Sequence, residues 1–533
     1  MANPAQQSFA PPLPHRDQEN SPPPAAGGGL TRTLPRPPAL PFLPSLPALL
    51  GRPAARWARG GLIAVNVAAV TFFLLSYSRH GVSFGPYRID LDVYRIGSAA
   101  WLHGGNLYGV LPRTSSGARL PFSYPPIAAI LLAPLALVPM PAAVTALTLA
   151  TVALTALVLR VFLRSLAATP IGSSMPIAPG PSASGPIPPP HLPRVPRVGH
   201  GRGVSRSGAA RRQDRGWLCT RGCSQLSTIV SGWAVLWLLP VTLLLEPVRN
   251  TLGYGQVNVA LMALVAGDCL LPAPRWRRGA LVGIAAAVKL TPAGFVLFFL
   301  LRRDWRAAGL AAVSFCACAG IGFLLAWHDS VEYWTSVIFQ AGRPGSPAYA
   351  ANQSIQGVLA RAGLNPHSPA GAVTWLLLSA VVVGLACGGM RRALAASADA
   401  WALSLNALAC LLVSPISWSH HWVWGETAVL TLAILSVRDL LPRRLGLAVA
   451  AVGAVMFAVS PQWWLPNGGN RELHWAAWEQ AAGSSYVIFA TAVLIAAACW
   501  PRQRPGQRPS ALARPSGERQ PGAGLLVGGG VDG

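Results

Sequence analysis

The chain is short of charge. Acidic and basic side chains make up 11% of its 533 residues, where a soluble domain carries roughly 25%. So few charges cannot cover a water-facing surface, which excludes a soluble enzyme. Acid is scarcer still, with 17 Asp and Glu against 42 Lys and Arg. Lysine is nearly missing: Lys289 is the only one in the chain. The eight cysteines lie mostly in apolar runs, where Cys behaves as a small hydrophobe. Cys219 and Cys223 form a lone Cys-x-x-x-Cys with no partner pair, which argues against a metal site. The Pro-rich, polar first sixty residues carry no cleavable-signal pattern.

What is present is apolar: 52% of the residues are hydrophobic, and mean hydropathy is +0.43. Runs near the bilayer-crossing length of about 20 residues recur from Gly61 to Trp500. Backbone groups in lipid must be satisfied internally, so runs without alternation read as helices. The expected fold is an all-α polytopic membrane protein of about eleven or twelve transmembrane helices. The segments lie near 61–77, 126–139, 142–163, 226–246, 255–272, 279–301, 307–327, 370–390, 400–416, 422–437, 444–460 and 484–500.

The net charge of +25 is concentrated in three stretches that no core can absorb. Residues 1–58 and 501–533 read as disordered basic tails, and 166–225 as a flexible Pro/Gly/Arg-rich insertion. Membrane-embedded parts then cover 59–165 and 226–500. No aromatic-interleaved basic module appears, so the bilayer is the expected partner and nucleic acid is not. Arg52, Arg56 and Arg59 precede the first span, which puts the N-terminus in the cytoplasm and the polar loop 78–123 outside. Arg275 to Arg278 and Arg302 to Arg306 both read as cytoplasmic. They flank a single apolar segment, so both can be inside only if it turns back. Lys289 and Pro292 interrupt it, as a re-entrant pair of half-helices requires.

Several polar groups sit where lipid makes them costly. Asp90 and Asp92 follow the first span; on a helix they point about 200° apart and do different jobs. A plain helix start would also favour Asp there. Gln256 and Asn258 open another span and suit either a cap, an interhelical hydrogen bond or sugar hydroxyls. Lys289, inside an apolar segment, is a functional residue or a snorkelling one. Asn352 and Gln353 lie in a polar loop and suit a polar ligand. His420 and His421 are adjacent between spans; about 100° apart on a helix, they would not chelate one metal simply.

Assembled in order, these stretches resemble the polytopic GT-C glycosyltransferases, and most closely glycosyltransferase family 87. The matching residues are Asp90-Leu91-Asp92-Val93-Tyr94, Gly105-Asn106-Leu107-Tyr108, Phe122-Ser123-Tyr124-Pro125-Pro126, Gly255-Gln256-Val257-Asn258, Val288-Lys289-Leu290-Thr291-Pro292, Asn352-Gln353-Ser354 and Ser414-Pro415-Ile416-Ser417-Trp418-Ser419-His420-His421. They run from about 80 to 500; the tails and the insertion fall outside. The resemblance implies an actinobacterial α-mannosyltransferase of the cell membrane. Its donor would be polyprenyl-phosphate-mannose and its acceptor an extracytoplasmic glycan or glycolipid. The active site would be at the outer membrane edge, with a catalytic carboxylate in the first extracytoplasmic loop.

On that basis Asp90 is the expected base for an inverting transfer that gives an α-linked, α-1,2, product. His420, His421, Lys289 and Arg95 are candidates for the donor phosphate. Asp92, Tyr94, Gln256, Asn258, Asn352 and Gln353 are candidates for sugar or acceptor. No cofactor and no metal are expected: Asp90-x-Asp92 spells an Asp-x-Asp pattern, but the resemblance and its place at a membrane edge argue against nucleotide binding there. A transporter or lipid flippase, and an envelope scaffold that would tolerate loss of Asp90, are the competing classes.

Overall fold

The computed structural model describes residues 52–75, 88–170 and 232–499, apart from 341 and 344. Cys219, Cys223, the insertion after 170 and most of both tails lie outside the described residues. The first helix begins at Arg52, inside the stretch expected as a tail. Among the described residues no strand forms, only an isolated bridge between Asn352 and Trp418.

In chain order the helices begin with α1 (Arg52–Leu75), α2 (Ile89–Leu102), α3 (Pro126–Ala136) and α4 (Met140–Ala168). After the insertion come α5 (Gly232–Leu244), α6 (Glu246–Tyr254), α7 (Asn258–Leu270), α8 (Ala280–Val288) and α9 (Val296–Leu301). Then follow α10 (Trp305–Leu325), α11 (Trp327–Thr335), α12 (Ile355–Arg361) and α13 (Pro369–Ala395). The chain closes with α14 (Asp399–Val413), α15 (Val423–Val437), α16 (Arg443–Val459), α17 (Ala477–Gly483) and α18 (Ser485–Cys499).

Within the described residues each apolar segment expected from the sequence is largely helical, but the segments are not alike. Five helices are long and apolar enough to cross a membrane: α1 from Trp57, α4, α10, α13 and α16. Two bent pairs, α5 with α6 at 72° and α17 with α18 at 70°, raise that to seven. The rest of the expected dozen are shorter apolar helices: α3, α7, residues 291–301, α14 and α15.

The difference follows from position. Long helices present apolar side chains outward, such as Phe72, Val313, Leu324 and Leu377, all more than half exposed. In water such a surface is costly; in lipid it is the required one. The short helices α7, α14 and α15 are buried along nearly their whole length. They form the core with Val158, Leu159 and Phe162 of α4, and their ends open into the loops that build the site.

The segment 279–301 turns back. A Cβ at Gly279 would lie 2.0 Å from the Ala307 carbonyl oxygen, and one at Gly283 would lie 2.2 Å from that of Ala311. The two contacts advance by the same four residues, so α8 and α10 run side by side in the same direction from the same end. The chain must therefore return between them, and it does so at Lys289, whose backbone is extended (φ −148°, ψ 125°). A 3₁₀ turn (Thr291–Phe295) and α9 complete the return. Both Arg-rich loops thus lie at one edge. There Arg278 donates to the carbonyls of Asp268, Cys269 and Leu271, which close the end of α7. Arg302 pairs with Asp399 at 2.6 Å, and Cys269 lies within electrostatic reach of both arginines. Nine residues of α8 rise about 14 Å, so the hairpin tip stands well away from the edge that carries the Arg-rich loops.

The α8–α10 contact depends on small residues, as membrane helix packing generally does. Gly283→Ala puts a methyl group against the Ala311 backbone and forces the helices apart. The expected cost is about 1–3 kcal/mol, read as a lowered Tm of the purified protein in lipid nanodiscs; an unchanged Tm would contradict the close contact.

Candidate active site

A cavity of about 1530 Å³ opens among the loops at the ends of the core helices. Asp90, Tyr124, Gln256, Lys289, His420 and His421 line it. Five separate stretches of chain are brought together there, each for a local reason.

Asp90 is the second residue of α2, where the helix N-terminus favours a carboxylate. The start of α2 is fixed by buried Arg88, which donates to the carbonyls of Phe73 (2.7 Å) and Gly253 (3.2 Å). The turn after α6 can approach because Gly255 is left-handed (φ +74°) and a Cβ there would lie 2.7 Å from Leu91 Cβ. That approach delivers Gln256, which hydrogen-bonds Asp90. Gln256 Oε1 is taken by the Tyr94 hydroxyl at 2.6 Å, which leaves the amide nitrogen for the carboxylate. The Tyr94 and Tyr124 hydroxyls lie 3.1 Å apart, and with the Tyr94 proton on Gln256, Tyr124 is the donor to Tyr94. Tyr124 is carried on the Pro121–Pro126 loop, which seats Phe122 on Gly97; a Cβ there would lie 2.4 Å from the ring.

Burial pushes the Asp90 carboxyl up from 3.8 to about 6, against the opposing pull of Gln256 and Lys289. A carboxylate near that value still ionises at neutral pH and holds a proton more firmly than an exposed one. Both properties suit a general base.

Lys289 stands at the hairpin tip. Its ammonium donates to Asn258 Oδ1 and to His421 Nε2, each at 3.0 Å, and lies 5.7 Å from the centre of the Tyr124 ring. Asn258 Nδ2 donates to the His420 carbonyl at 2.8 Å, and Thr251 Oγ1 to the same oxygen at 2.9 Å. Asn258 therefore clips the hairpin tip to the histidine turn (Ser419–His421). Burial, with Lys289 alongside, holds both imidazoles well below their ordinary pKa and hence neutral. The pair can offer an anion hydrogen bonds, and the positive charge comes from Lys289. His421 Nε2 is engaged by Lys289, while neither ring nitrogen of buried His420 has a hydrogen-bond partner among the described residues. His420 rests edge-on against Tyr254, ring centres 5.1 Å apart.

The other expected site residues lie elsewhere. Asp92 points away from the cavity and accepts from Ser115 N (2.8 Å) and Oγ (3.1 Å), as the 200° separation requires. Arg95 does not line the cavity; its guanidinium binds the carbonyls of Leu135 and Val138, closing the turn before α4. Asn352 and Gln353 are fully buried and tie loops together. Asn352 donates to Pro347 O (2.9 Å) and accepts from Ser417 N (2.9 Å). Gln353 Nε2 donates to the carbonyls of Ala350 (2.9 Å) and Gly483 (2.7 Å). Tyr94 and Asn258 act one step behind the lining, through Gln256 and Lys289. Sequence reading passed over Tyr124, although its motif was visible. It also missed Tyr254, Arg343 and Trp463 in the lining; only their aromatic or basic character in loops beside spans pointed to them.

A polytopic membrane protein that gathers Asp90, Lys289 and two neutral histidines around a large cavity has the makings of a transferase acting on an anionic lipid-borne donor. The profile of glycosyltransferase family 87 matches residues 122–415. A relative from Mycobacterium tuberculosis is 38% identical over 77% of this chain and 84% of its own length. It is named a polyprenol-phosphate-mannose-dependent alpha-(1-2)-phosphatidylinositol mannoside mannosyltransferase. One of the same name from Mycolicibacterium smegmatis is 37% identical over 77% of this chain and 83% of its own. A third, from another Mycobacterium tuberculosis strain and named for the pentamannoside, is 30% identical over 70% and 72%. No solved structure matches. The chain belongs to glycosyltransferase family 87 and is a membrane glycosyltransferase rather than a transporter or a scaffold.

Two measurements test the state of Asp90. Transfer by the wild-type enzyme (kcat/KM) rises with pH through a midpoint near 6, as the carboxyl loses its proton; a flat profile between pH 5 and 8 would exclude it as base. Its pKa is raised on folding, so its contribution to stability is present below pH 3.8 and lost as pH rises through about 6. Asp90→Asn should therefore melt no lower than wild type at pH 8, and higher if the buried charge is strained.

Proposed function

We propose that this enzyme moves mannose from polyprenyl-phosphate-mannose to a phosphatidylinositol mannoside, on the extracytoplasmic side, with inversion and an α-1,2 linkage. The donor, the linkage and the acceptor class are those in the names of the relatives. The observation that carries the reading is the meeting of Asp90 and Lys289 in one cavity. These are the base and the cation that transfer from a lipid phosphate needs.

In this mechanism an acceptor hydroxyl oxygen attacks the anomeric carbon while Asp90 takes its proton. The bond from that carbon to the phosphate oxygen breaks, and polyprenyl phosphate departs with the electron pair. Lys289 balances the phosphate charge, and His420 offers an N–H to its oxygens. One carboxylate at the reacting carbon fits a single displacement, since retention would need a nucleophile as well. Asp92 faces Ser115 instead. The polyprenyl chain finds an aliphatic wall in Leu376, Ala380 and Val383 of α13, which line the same cavity. No metal is required, because the phosphate is already a good leaving group.

Sidedness is supported by two features. Arg88 joins the start of α2 to Phe73, near the end of α1 remote from the Arg52–Arg59 cluster. The Arg-rich loops around 278 and 302 share an edge, and the hairpin tip points away from it. If basic edges are cytoplasmic, Asp90 is outside.

The test is incubation of purified protein with radiolabelled polyprenyl-phosphate-mannose and a membrane lipid extract, followed by product analysis. The expected product is a glycolipid carrying α-1,2-linked label, formed equally with and without a chelator. Asp90→Asn should lower transfer by about 10²–10⁴-fold at normal protein level. Lys289→Ala should lower it by about 10²-fold or more. Normal turnover in the first variant refutes the base, and chelator sensitivity refutes the metal-free mechanism.

A further inference from the structure

The cavity has a second lining that proton transfer and phosphate binding leave unused. Tyr349, Trp418 and Trp463, from three different loops, all face it and are each half-buried. Tyr349 touches both indoles, with ring centres 6.0 Å from Trp418 and 6.1 Å from Trp463.

Each ring is anchored by its edge or backbone, so that a face is presented. Trp463 Nε1 donates to the buried carboxylate of Glu246 at 2.8 Å, and Tyr486 donates to the other oxygen at 2.9 Å. The backbone of Trp418 is held by its bridge to Asn352, and the Asn352 side chain accepts from the neighbouring Ser417 N at 2.9 Å. Beside Tyr349, Glu472 accepts from Ala350 N (3.2 Å) and Gly468 N (2.8 Å). That pins the left-handed turn Gly468–Asn470, and nothing lies within 4 Å in front of its two glycines.

The chemistry of this patch separates it from the lipid wall. The α13 wall is aliphatic and lies on a helix that faces lipid. The aromatic patch is flanked in the lining by Ser346, Asn470 and the open backbone turn. Flat π faces attract the polarised C–H groups of a pyranose ring, and neighbouring amide, hydroxyl and peptide groups pair with its hydroxyls. Trp418 stands two residues before His420, so the patch is continuous with the transfer pole.

We propose that Tyr349, Trp418 and Trp463 form the acceptor-glycan subsite, stacking on the sugar rings that trail the attacking hydroxyl. The ligand class is a mannose oligosaccharide borne on the acceptor. This rests on the transfer reading above, and it adds where the acceptor is held.

The test uses full-length enzyme in lipid nanodiscs with radiolabelled polyprenyl-phosphate-mannose as donor and octyl α-1,6-dimannoside as acceptor probe. Trp463→Ala should raise the acceptor KM by about tenfold without a matching rise in donor KM, and Trp463→Phe should recover most of the loss. A rise in donor KM alone, or a fall in kcat with acceptor KM unchanged, overturns the subsite. Tyr349→Ala serves as a second variant should Trp463→Ala fail to fold, and it carries the same expectation. If wild type transfers nothing, the transfer reading fails by itself. The subsite is then read from dimannoside binding by tryptophan fluorescence: a response in wild type that Tyr349→Ala abolishes supports it, and no response overturns it.

Discussion

The site depends on one half-buried ammonium at the wall of the cavity. Lys289 stands at the tip of a hairpin that enters the apolar core, where an unpaired charge is very costly. The fold meets that cost with two acceptors at 3.0 Å, Asn258 and His421, and with Asp90 within electrostatic reach. Those partners come from α7, from the turn before α15 and from α2. Satisfying that one charge therefore draws four stretches of chain to one point. The same contacts keep the histidines neutral and moderate the carboxyl. The hairpin, the clip and the base are parts of a single electrostatic arrangement, and changing one alters the others.

Around that point the bundle divides its labour. Long helices with exposed apolar faces meet the lipid, and short buried helices fill the middle. A short helix leaves backbone groups unsatisfied at its ends, and in lipid those groups must find partners. Here they find Arg278, Asp268, Thr251 and Asn258, and the loops so made frame the cavity. Asp268, for instance, accepts from Gly279 N and Val282 N at 3.0 Å and starts α8. The arrangement that makes the core short also makes room for a substrate.

Polar residues of similar appearance have different duties. Asn258 and Asn352 both open or flank apolar helices, and both read as sugar ligands from sequence. The first orients Lys289, and the second ties the loops at Pro347 and Ser417 together. Amides bond in two directions, which makes them suited to joining loops, and a buried one is most often fully engaged. Gln256 alone of the four presents itself to the cavity while its other end is held by a tyrosine.

The sequence alone determined the helical membrane fold and its apolar segments, which follow from composition and are local properties. Its motifs carried the resemblance to the family and singled out Asp90, Lys289 and the histidine pair as candidates. It also required Asp90 and Asp92 to diverge, since helix geometry is local. The tertiary structure decided what depends on distant partners. It turned the 279–301 segment back on itself, through glycine contacts with a helix some 28 residues later. It engaged Arg95, Asn352 and Gln353 with carbonyls that no pattern announces. It gathered three aromatic rings from three loops that together span more than 100 residues of chain. Backbone carbonyls carry no sequence signature, and ring faces meet only when the loops that bear them have been packed.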